Sequence, residues 1–391
     1  MRTLLLCSRP PWPLSGGDRI RTWHLARQLS LLGPVDLVAM RAEDEEEAAI
    51  REGLPFVENF ELPVLRRRDA VVGVGRSLLN GRSLQTGLYA SASARQRVQK
   101  LLTEHAYSLI VAHLVRTVSW LPEQGPPVLV DIQDALSAQY EASRGHRKGW
   151  RGLAMALEQE RIRREEEAAV ARADGLSFIS REDASKVPTG SKPVGILGAA
   201  VDFDRLVPQG SAPIPGRIGF LGNLRTASNR DMVVYFAQAV LPKLRARHPA
   251  TEFHIFGHEA GREIASLSRE PGVFVVGSIR DQMPALESCW LTVCPLRFGS
   301  GVQNKILESL AAGTPVVASG AAVEALQAPG KNAPPVVRAD LGADFVDAVG
   351  TLLSDADKRD SLSVLGRSWV HENHSPEAAF APLGELLAAL V

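Results

Sequence analysis

Short apolar runs alternate with helix-length segments along the chain, which is the pattern of parallel strands joined by crossover helices. In the first half the runs are Thr3–Cys7, Val35–Ala39, Leu109–Ala112, Val128–Asp131 and Leu176–Ile179. In the second they are Ile218–Leu221, Glu252–Phe256, Val273–Val276, Leu291–Cys294 and Pro315–Ala318. They predict an α/β protein built from two doubly wound parallel-sheet units. The stretch Pro188–Gly216 is rich in Gly, Pro and Ser, lacks a sustained period, and reads as the interdomain linker. From Ser375 the tail SPEAAFAPLGELLAALV reads as a capped amphipathic helix able to dock back on the first domain. The expected domains are therefore 1–200, 201–374 and a returning helix at 375–391.

The densest pattern is CPLRFGSGVQNKILESLAAGTPVVAS, from Cys294 to Ser319. It holds a strand end, a Gly-Ser-Gly turn, one helix, a stop at Gly313 and Pro315, and a second strand. At roughly 100° per residue from a helix start near Val302, the residues Val302, Ile306, Leu307 and Leu310 share one arc, while Asn304, Lys305 and Glu308 share another. One arc packs and the other faces a cleft. Gly299 and Gly301 allow close backbone approach to an anion, and the free N–H groups of the first turn carry partial positive charge. Lys305 adds a full charge, and Glu308 is placed to accept hydrogen bonds from a hydroxyl pair on a ribose or sugar. An ordinary crossover helix with a solvated Lys/Glu pair is the plain alternative.

Because doubly wound sheets bind ligands beyond the carboxyl ends of their strands, the loops there are the places to look for chemistry. After the first strand, Ser15-Gly16-Gly17 precedes a helix bearing Asp18, Arg19 and Arg21. After Ile218–Leu221, Gly222 and Asn223 form a tight turn, and Arg225 is either a phosphate contact or a plain surface residue. The GSIRD segment after Val273–Val276 can edge a nucleobase with its backbone. His113 follows Leu109–Ala112 and is either structural or catalytic. Asp131 and Asp134 bind an acceptor hydroxyl or cap the next helix. The sequence contains no Cys/His metal cluster, no Gly-x-Ser-x-Gly elbow and no Gly-Lys-Ser/Thr phosphate loop.

Composition narrows the setting. Lys plus Arg equals Asp plus Glu at 44 each, so no global field recruits nucleic acid, and any anion site must be local. Cys7, Cys289 and Cys294 are too sparse for a disulfide framework and suit a reducing compartment. The apolar stretch Thr3–Cys7 is too short for a signal peptide, and no segment approaches the roughly 18 apolar residues of a membrane span, so a cytoplasmic location is expected. The charge run EQERIRREEEAAVAR, Glu158–Arg172, reads as the solvated face of a helix. Arg66-Arg67-Arg68, followed by Val71, Val72, Val74, Leu78 and Leu79, is either a plain surface helix or a basic amphipathic patch for peripheral contact with the inner face of an anionic membrane.

Taken together, PPWPLSGGDRIRTWHLARQL, LVDIQDALS, FLGNLRTASNRDMVVYFAQAVLP, VVGSIRD and PLRFGSGVQNKILESLAAGTPVVAS resemble the GT-B-fold glycosyltransferases of family 4. The resemblance is closer to the sugar transferases encoded with exopolysaccharide and exosortase systems. It implies two Rossmann-like domains facing a cleft. It also implies retaining, metal-independent transfer of a sugar, hexosyl-like, from a nucleotide-diphosphate donor to a glycan, lipid-linked or small-molecule acceptor, with no cofactor.

By the same resemblance Lys305 neutralises the diphosphate, with Ser300, Gly301 and Val302 beside it, and Glu308 binds the ribose. Gly222, Asn223 and Arg225 flank the donor, and Ile279 and Arg280 border the base. Gly17, Asp18 and Arg21 line the cleft from the first domain, Asp131 and Asp134 lie on the acceptor side, and His113 matches a histidine that contacts the donor sugar. His113, Lys305 and Glu308 form the implied catalytic set.

Three departures stand out. Ser300 occupies the first position of the usual glutamate pair, Ala199-Ala200-Val201-Asp202 replaces Asn-Gly-Val-Asp, and Ser228 replaces a proline before Asn229. Two other expectations stay open: a sugar-nucleotide epimerase or hydrolase on the same fold, which would use the same phosphate site without an acceptor, and a non-catalytic subunit of a polysaccharide assembly, suggested by Ser300.

Overall fold

The computed structural model describes residues 1–14, 16–144, 150–257, 261–279, 281–299, 301–326 and 332–391, with the side chains of 142–144 and 150–152 outside the description. Ser15, Arg280 and Ser300 therefore lie outside the described residues. The chain divides into two units, Met1–Gly198 with Phe380–Val391, and Ala199–Ala379.

In chain order the strands are β1 (Thr3–Cys7), β2 (Val35–Ala39), β3 (Arg41–Ala42), β4 (Asn59–Glu61), β5 (Val64–Leu65), β6 (Leu109–His113), β7 (Val128–Gln133), β8 (Gly175–Phe178) and β9 (Val194–Ile196) in the first unit. The second unit holds β10 (Arg217–Leu221), β11 (Glu252–Phe256), β12 (Val273–Gly277), β13 (Leu291–Cys294), β14 (Val316–Ala318) and β15 (Val337–Arg338). Strands β3 and β5 form a small separate pair. The other strands make two sheets, in the orders β4-β2-β1-β6-β7-β8-β9 and β12-β11-β10-β13-β14-β15. Neighbours are parallel throughout, with Thr3 opposite both Val35 and Leu109, and Ile218 opposite both Phe253 and Leu291. Both sheets are doubly wound, as the alternation predicts.

Burial explains the unbroken apolar runs. β1, β2 and β6 are buried at every position, since crossover helices cover both faces of a parallel sheet. The first core gathers Leu4, Leu6, Val38, Ile110, Val130, Phe178 and Trp120, whose indole Nε1 donates to the Tyr89 carbonyl at 2.8 Å. The second holds Phe220, Phe253 and Phe345, with the Phe236 and Phe253 ring centroids 4.5 Å apart.

The strand order places one reversal in each sheet. β1 lies between β2 and β6, and β10 lies between β11 and β13. Such a switch point opens a crevice at the carboxyl ends of the two strands, because the loops that follow them leave in opposite directions. The described residues so placed are 8–14, 16–17 and 113–116 in the first unit, and 222–226, 295–299 and 301–303 in the second.

Three expectations change. The stretch Pro188–Gly216 is not linker throughout, because Val194–Ile196 pairs with β8 as the edge strand. The tail is two short helices, Pro376–Phe380 and Leu383–Ala388, and not one. It packs on β8 and β9 where they carry glycine: a Cβ on Gly175 would fall 2.9 Å from Leu390, and one on Gly195 2.7 Å from Leu386.

The charge run is the third. On the helix Trp150–Arg172, Arg163 and Arg164 pair with the exposed Glu160, as on a solvated face. Glu158, Glu165 and Glu166 instead turn inward. Glu165 accepts from the Ser83 hydroxyl at 2.6 Å and from Thr86, Glu158 accepts from the Leu84 N–H at 2.6 Å, and Glu166 accepts from the Ser137 hydroxyl at 2.5 Å.

Candidate functional site

In the second unit the loop after β13 reaches its helix by left-handed glycines. Gly299 and Gly301 take φ of 120° and 83°, values that a side chain would strain. The helix begins at Asn304, two residues later than periodicity suggests, because Gln303 at φ −86°, ψ 87° is still non-helical. Val302 is therefore outside the helix and half-buried. No side chain caps the N-terminus, so its donors remain for an anion. The two faces hold: Ile306, Leu307 and Leu310 are buried, while Lys305 and Glu308 are half-buried.

Lys305 Nζ donates to Gln303 Oε1 at 2.8 Å and lies 5.8 Å from the centroid of the Phe220 ring. It meets no carboxylate at ion-pair distance among the described residues. One turn on, the Glu308 carboxylate has no hydrogen bond or ion pair among the described residues. Burial pushes this carboxyl up to about 7, against the opposing pull of Lys305 and Arg205. A half-buried cation and a half-buried carboxylate, neither neutralised by a bonded counter-ion, thus share one helix face. Such a pair is costly without an occupant that satisfies it.

The turn after β10 lies against this loop. A Cβ on Gly299 would sit 3.5 Å from the Ser228 Cβ, and Arg297 Nε donates to Asp231 at 2.8 Å, tying the loop after β13 to the helix that follows the turn. The buried Asn229 donates to the Asn223 carbonyl at 2.8 Å, and the Asn223 side chain accepts from the Arg225 N–H at 2.9 Å. Gly222 leaves the room this needs, since a Cβ there would be 2.9 Å from Asn229. Asn223 and Arg225 are exposed, and Ile279 is half-buried after β12. The fold therefore brings Gly222, Asn223, Gly301 and Lys305 to one switch point.

In the first unit a cavity of about 260 Å³ lies at the carboxyl ends of β6 and β7, lined by Arg9, Asp18, Arg116, Gln133, Asp134 and Glu165 among others. Its wall is shaped by two non-glycine residues in the left-handed region, Leu114 at φ 68° and Gln133 at φ 66°. A bulge opposite β8 between Asp131 and Gln133 turns the end of β7 toward the opening. Asp18 accepts from Arg9 at 2.6 Å and lies 3.5 Å from Arg116. Burial raises its carboxyl, but the Arg9 guanidinium outweighs burial and holds it below the usual carboxylate range. Asp134 is pushed up to about 6 by burial and by the charge of Asp183.

Arg21 and Asp131 do not face this cavity. The inner face of the helix Gly17–Ser30 turns Arg21 into the core, where its Nε and Nη2 reach the two Asp131 oxygens at 2.9 and 2.7 Å and Nη1 donates to the Leu197 carbonyl at 2.6 Å. Arg21 as a cleft residue and Asp131 as an acceptor contact are corrected on that ground: both are buried and spent on one another. His113 is also buried and bonds Asp131 through Nδ1 at 2.8 Å, leaving Nε2 without a partner. Gly17 is exposed at the helix start, and Asp18 and Asp134 reach the cavity. Arg9 and Arg116 were missed by sequence reasoning. Both sit within three residues of a strand end at the switch point, which is the signal that finds them.

Residues 215–355 match the model of the family described as "Glycosyl transferases group 1". No curated protein matches the chain. Among solved structures, sucrose-phosphate synthase of Thermosynechococcus elongatus aligns with a TM-score of 0.70 at 14% identity, covering 100% of this chain and 99% of that one. A TarM variant of S. aureus in complex with fondaparinux, alpha-GlcNAc-glycerol and UDP aligns at 0.68 and 10% identity, over 99% of both chains. HepE of Anabaena with UDP and glucose aligns at 0.65 and 14%, again over 99% of both. The fold is GT-B, and the family match in the second unit supports glycosyl transfer.

Proposed function

We propose that this chain is a retaining glycosyltransferase that takes a sugar from a nucleotide-diphosphate donor without a metal. The observation that carries the proposal is the helix Asn304–Ala311, whose uncapped N-terminus and Lys305 lie one turn from an unpartnered Glu308. When the bond to the sugar breaks, negative charge grows on the leaving diphosphate. A fixed ammonium and backbone donors aimed at that charge lower the barrier without reorganising. Glu308, as an acceptor for a ribose hydroxyl pair, positions the donor. The backbone after β10 and β13 and Ile279 supply its remaining walls. The structures of TarM and HepE in complex with UDP support a nucleotide donor for this fold.

The acceptor is proposed to enter the first-unit cavity, where Asp134 faces a hydroxyl-bearing group. The family of proteins that the sequence resembles points to a glycan, lipid-linked or small-molecule acceptor, handled in the cytoplasm. Thermal shift across UDP-, GDP-, ADP- and dTDP-sugars identifies the donor, since a ligand bound only by the folded state raises the melting temperature. Lys305→Ala is expected to lower turnover of that donor by orders of magnitude with the fold intact. Near-normal turnover in this variant refutes the reading.

A further inference from the structure

The helix Arg67–Leu79 carries its apolar residues on the wrong side for packing. Gly73 and Ser77 are its buried positions, pressed so closely on the helix Leu84–Tyr89 that a Cβ on Gly73 would fall 2.2 Å from the Gly87 carbonyl oxygen. On the opposite side Val71, Val72, Leu78 and Leu79 are 71%, 51%, 53% and 87% exposed. At roughly 100° per residue these four span about 120° of arc, with Gly75 inside it and Arg68, in the first turn, at its N-terminal end. Arg67 and Arg76 fall just outside its two edges, and both are exposed.

The charge around this stripe is predominantly positive, although Arg68 lies 3.7 Å from Asp69 and Arg82 3.4 Å from Glu165. Between Arg66 and Arg82 the chain holds five arginines and one aspartate, although the whole sequence is neutral. Exposed large apolar side chains in one stripe mark an interaction surface, because leaving them in water is unfavourable. A purely apolar partner accounts for the stripe and leaves the arginines without a role. An anionic lipid surface accounts for both: the valines and leucines enter the boundary between headgroups and acyl chains, and the arginines at the rim meet lipid phosphates. Among the described residues no helix is long and apolar enough to cross a membrane, so the contact is one of lying on the surface.

We propose that this helix docks the protein on an anionic lipid bilayer through Val71, Val72, Leu78 and Leu79, with Arg67 and Arg76 as its charged rim. The proposal is independent of the transfer chemistry. The full chain is mixed with vesicles of phosphatidylcholine alone, or of phosphatidylcholine with phosphatidylglycerol, and the bound fraction is measured by sedimentation. Binding is expected to the phosphatidylglycerol vesicles, to fall as salt is raised, and to be weak on phosphatidylcholine alone.

Each arginine near an anionic surface is worth roughly fivefold in binding. A variant carrying Arg67→Gln with Arg76→Gln is thus expected to bind about 30-fold less tightly, and one carrying Val71→Ser with Leu79→Ser to lose vesicle binding. Both sets of side chains are exposed, and circular dichroism confirms that the variants keep their fold. Equal binding by wild type and both variants overturns the proposal. So does a wild type that ignores the vesicles, including one that elutes as a dimer which Leu79→Ser separates, since the stripe then faces a second copy.

Discussion

Nδ1 of His113 lies 2.8 Å from Oδ2 of Asp131, and Oδ1 of the same carboxylate takes the Ser177 hydroxyl and Arg21 Nη2, both at 2.7 Å. One fully buried carboxylate thereby ties together β6, β7, β8 and the helix that follows β1. With Asp131 bonded to Nδ1, the ring cannot turn without breaking that bond, and Nε2 is left without a partner among the described residues. Asp131 is a positioning residue for His113 and a structural anchor for the switch point.

Removing that charge leaves Arg21 buried beside a neutral group. Asp131→Asn is expected to destabilise the first unit by about 3–5 kcal/mol, the cost of breaking a buried pair from one side; urea unfolding measures it. Acid acts in the same way. Burial alone would raise the Asp131 carboxyl, but Arg21 and His113 hold it well below the usual carboxylate range. Its contribution is therefore complete above the unfolded value of about 3.9 and is lost as pH falls below that toward the folded value. A wild-type stability that stays flat from pH 5 down to pH 2 contradicts this account.

The inward carboxylates of the helix Trp150–Arg172 make a second contrast. Glu165→Ala strands the Ser83 N–H and the Thr86 hydroxyl, while the Ser83 hydroxyl keeps Thr86 Oγ1 at 3.2 Å, and is expected to cost about 1–3 kcal/mol for the donors left unpaired. Glu160→Ala removes only exposed pairs with Arg163 and Arg164 and is expected to leave the unfolding midpoint unchanged. Two denaturation curves of single variants decide the matter. Equal midpoints mean that Glu165 does not hold the helix Leu84–Tyr89 in place.

These residues also mark where sequence reading stops. The strands, the Gly-rich junction and the Lys305/Glu308 face were legible because they rest on local periodicity and on the special backbone freedom of Gly299 and Gly301. The inward turn of Glu165 was not, since its partners lie 79 and 82 residues away and its neighbours in the chain look the same as a solvated face. Arg21 was misplaced for a related reason. A basic residue one turn past a glycine pair suits an anion site equally well until the buried position of Asp131, 110 residues on, is known. The edge strand Val194–Ile196 escaped because three residues within a Gly- and Pro-rich stretch carry no period.

Asp134 separates acceptor from donor effects. Its carboxyl, pushed up to about 6 by burial and by Asp183, lines the first-unit cavity, whereas Lys305 belongs to the second unit. Asp134→Asn is expected to raise the acceptor KM or to lower kcat, while leaving the melting-temperature shift produced by the donor unchanged. In the wild type the ionised carboxylate is the better hydrogen-bond acceptor, so transfer is expected to fall as pH drops below about 6. The variant should lack that limb. A donor-induced shift that disappears in Asp134→Asn contradicts the division of labour.

Glu308 links pH to donor binding in a direction fixed by its surroundings. Because burial raises its folded value to about 7, ionisation opposes folding, and stability is expected to decline as pH rises from the ordinary glutamate value of about 4.3 toward 7. A ribose hydroxyl pair donates to the carboxylate and so favours the ionised form. A nucleotide-diphosphate sugar does not itself titrate between pH 6 and 8, so its affinity should track the ionised fraction of Glu308, rising by up to about tenfold across that range. Glu308→Gln keeps the shape and removes the titration. It is expected to flatten the affinity profile, to bind the donor more weakly at pH 8, and to unfold at a higher temperature than wild type at that pH in the absence of ligand. Calorimetric titration at pH 6, 7 and 8 measures the first two effects and a thermal melt the third. An affinity that stays constant with pH in the wild type, or one that the substitution leaves intact at pH 8, removes Glu308 from the donor site.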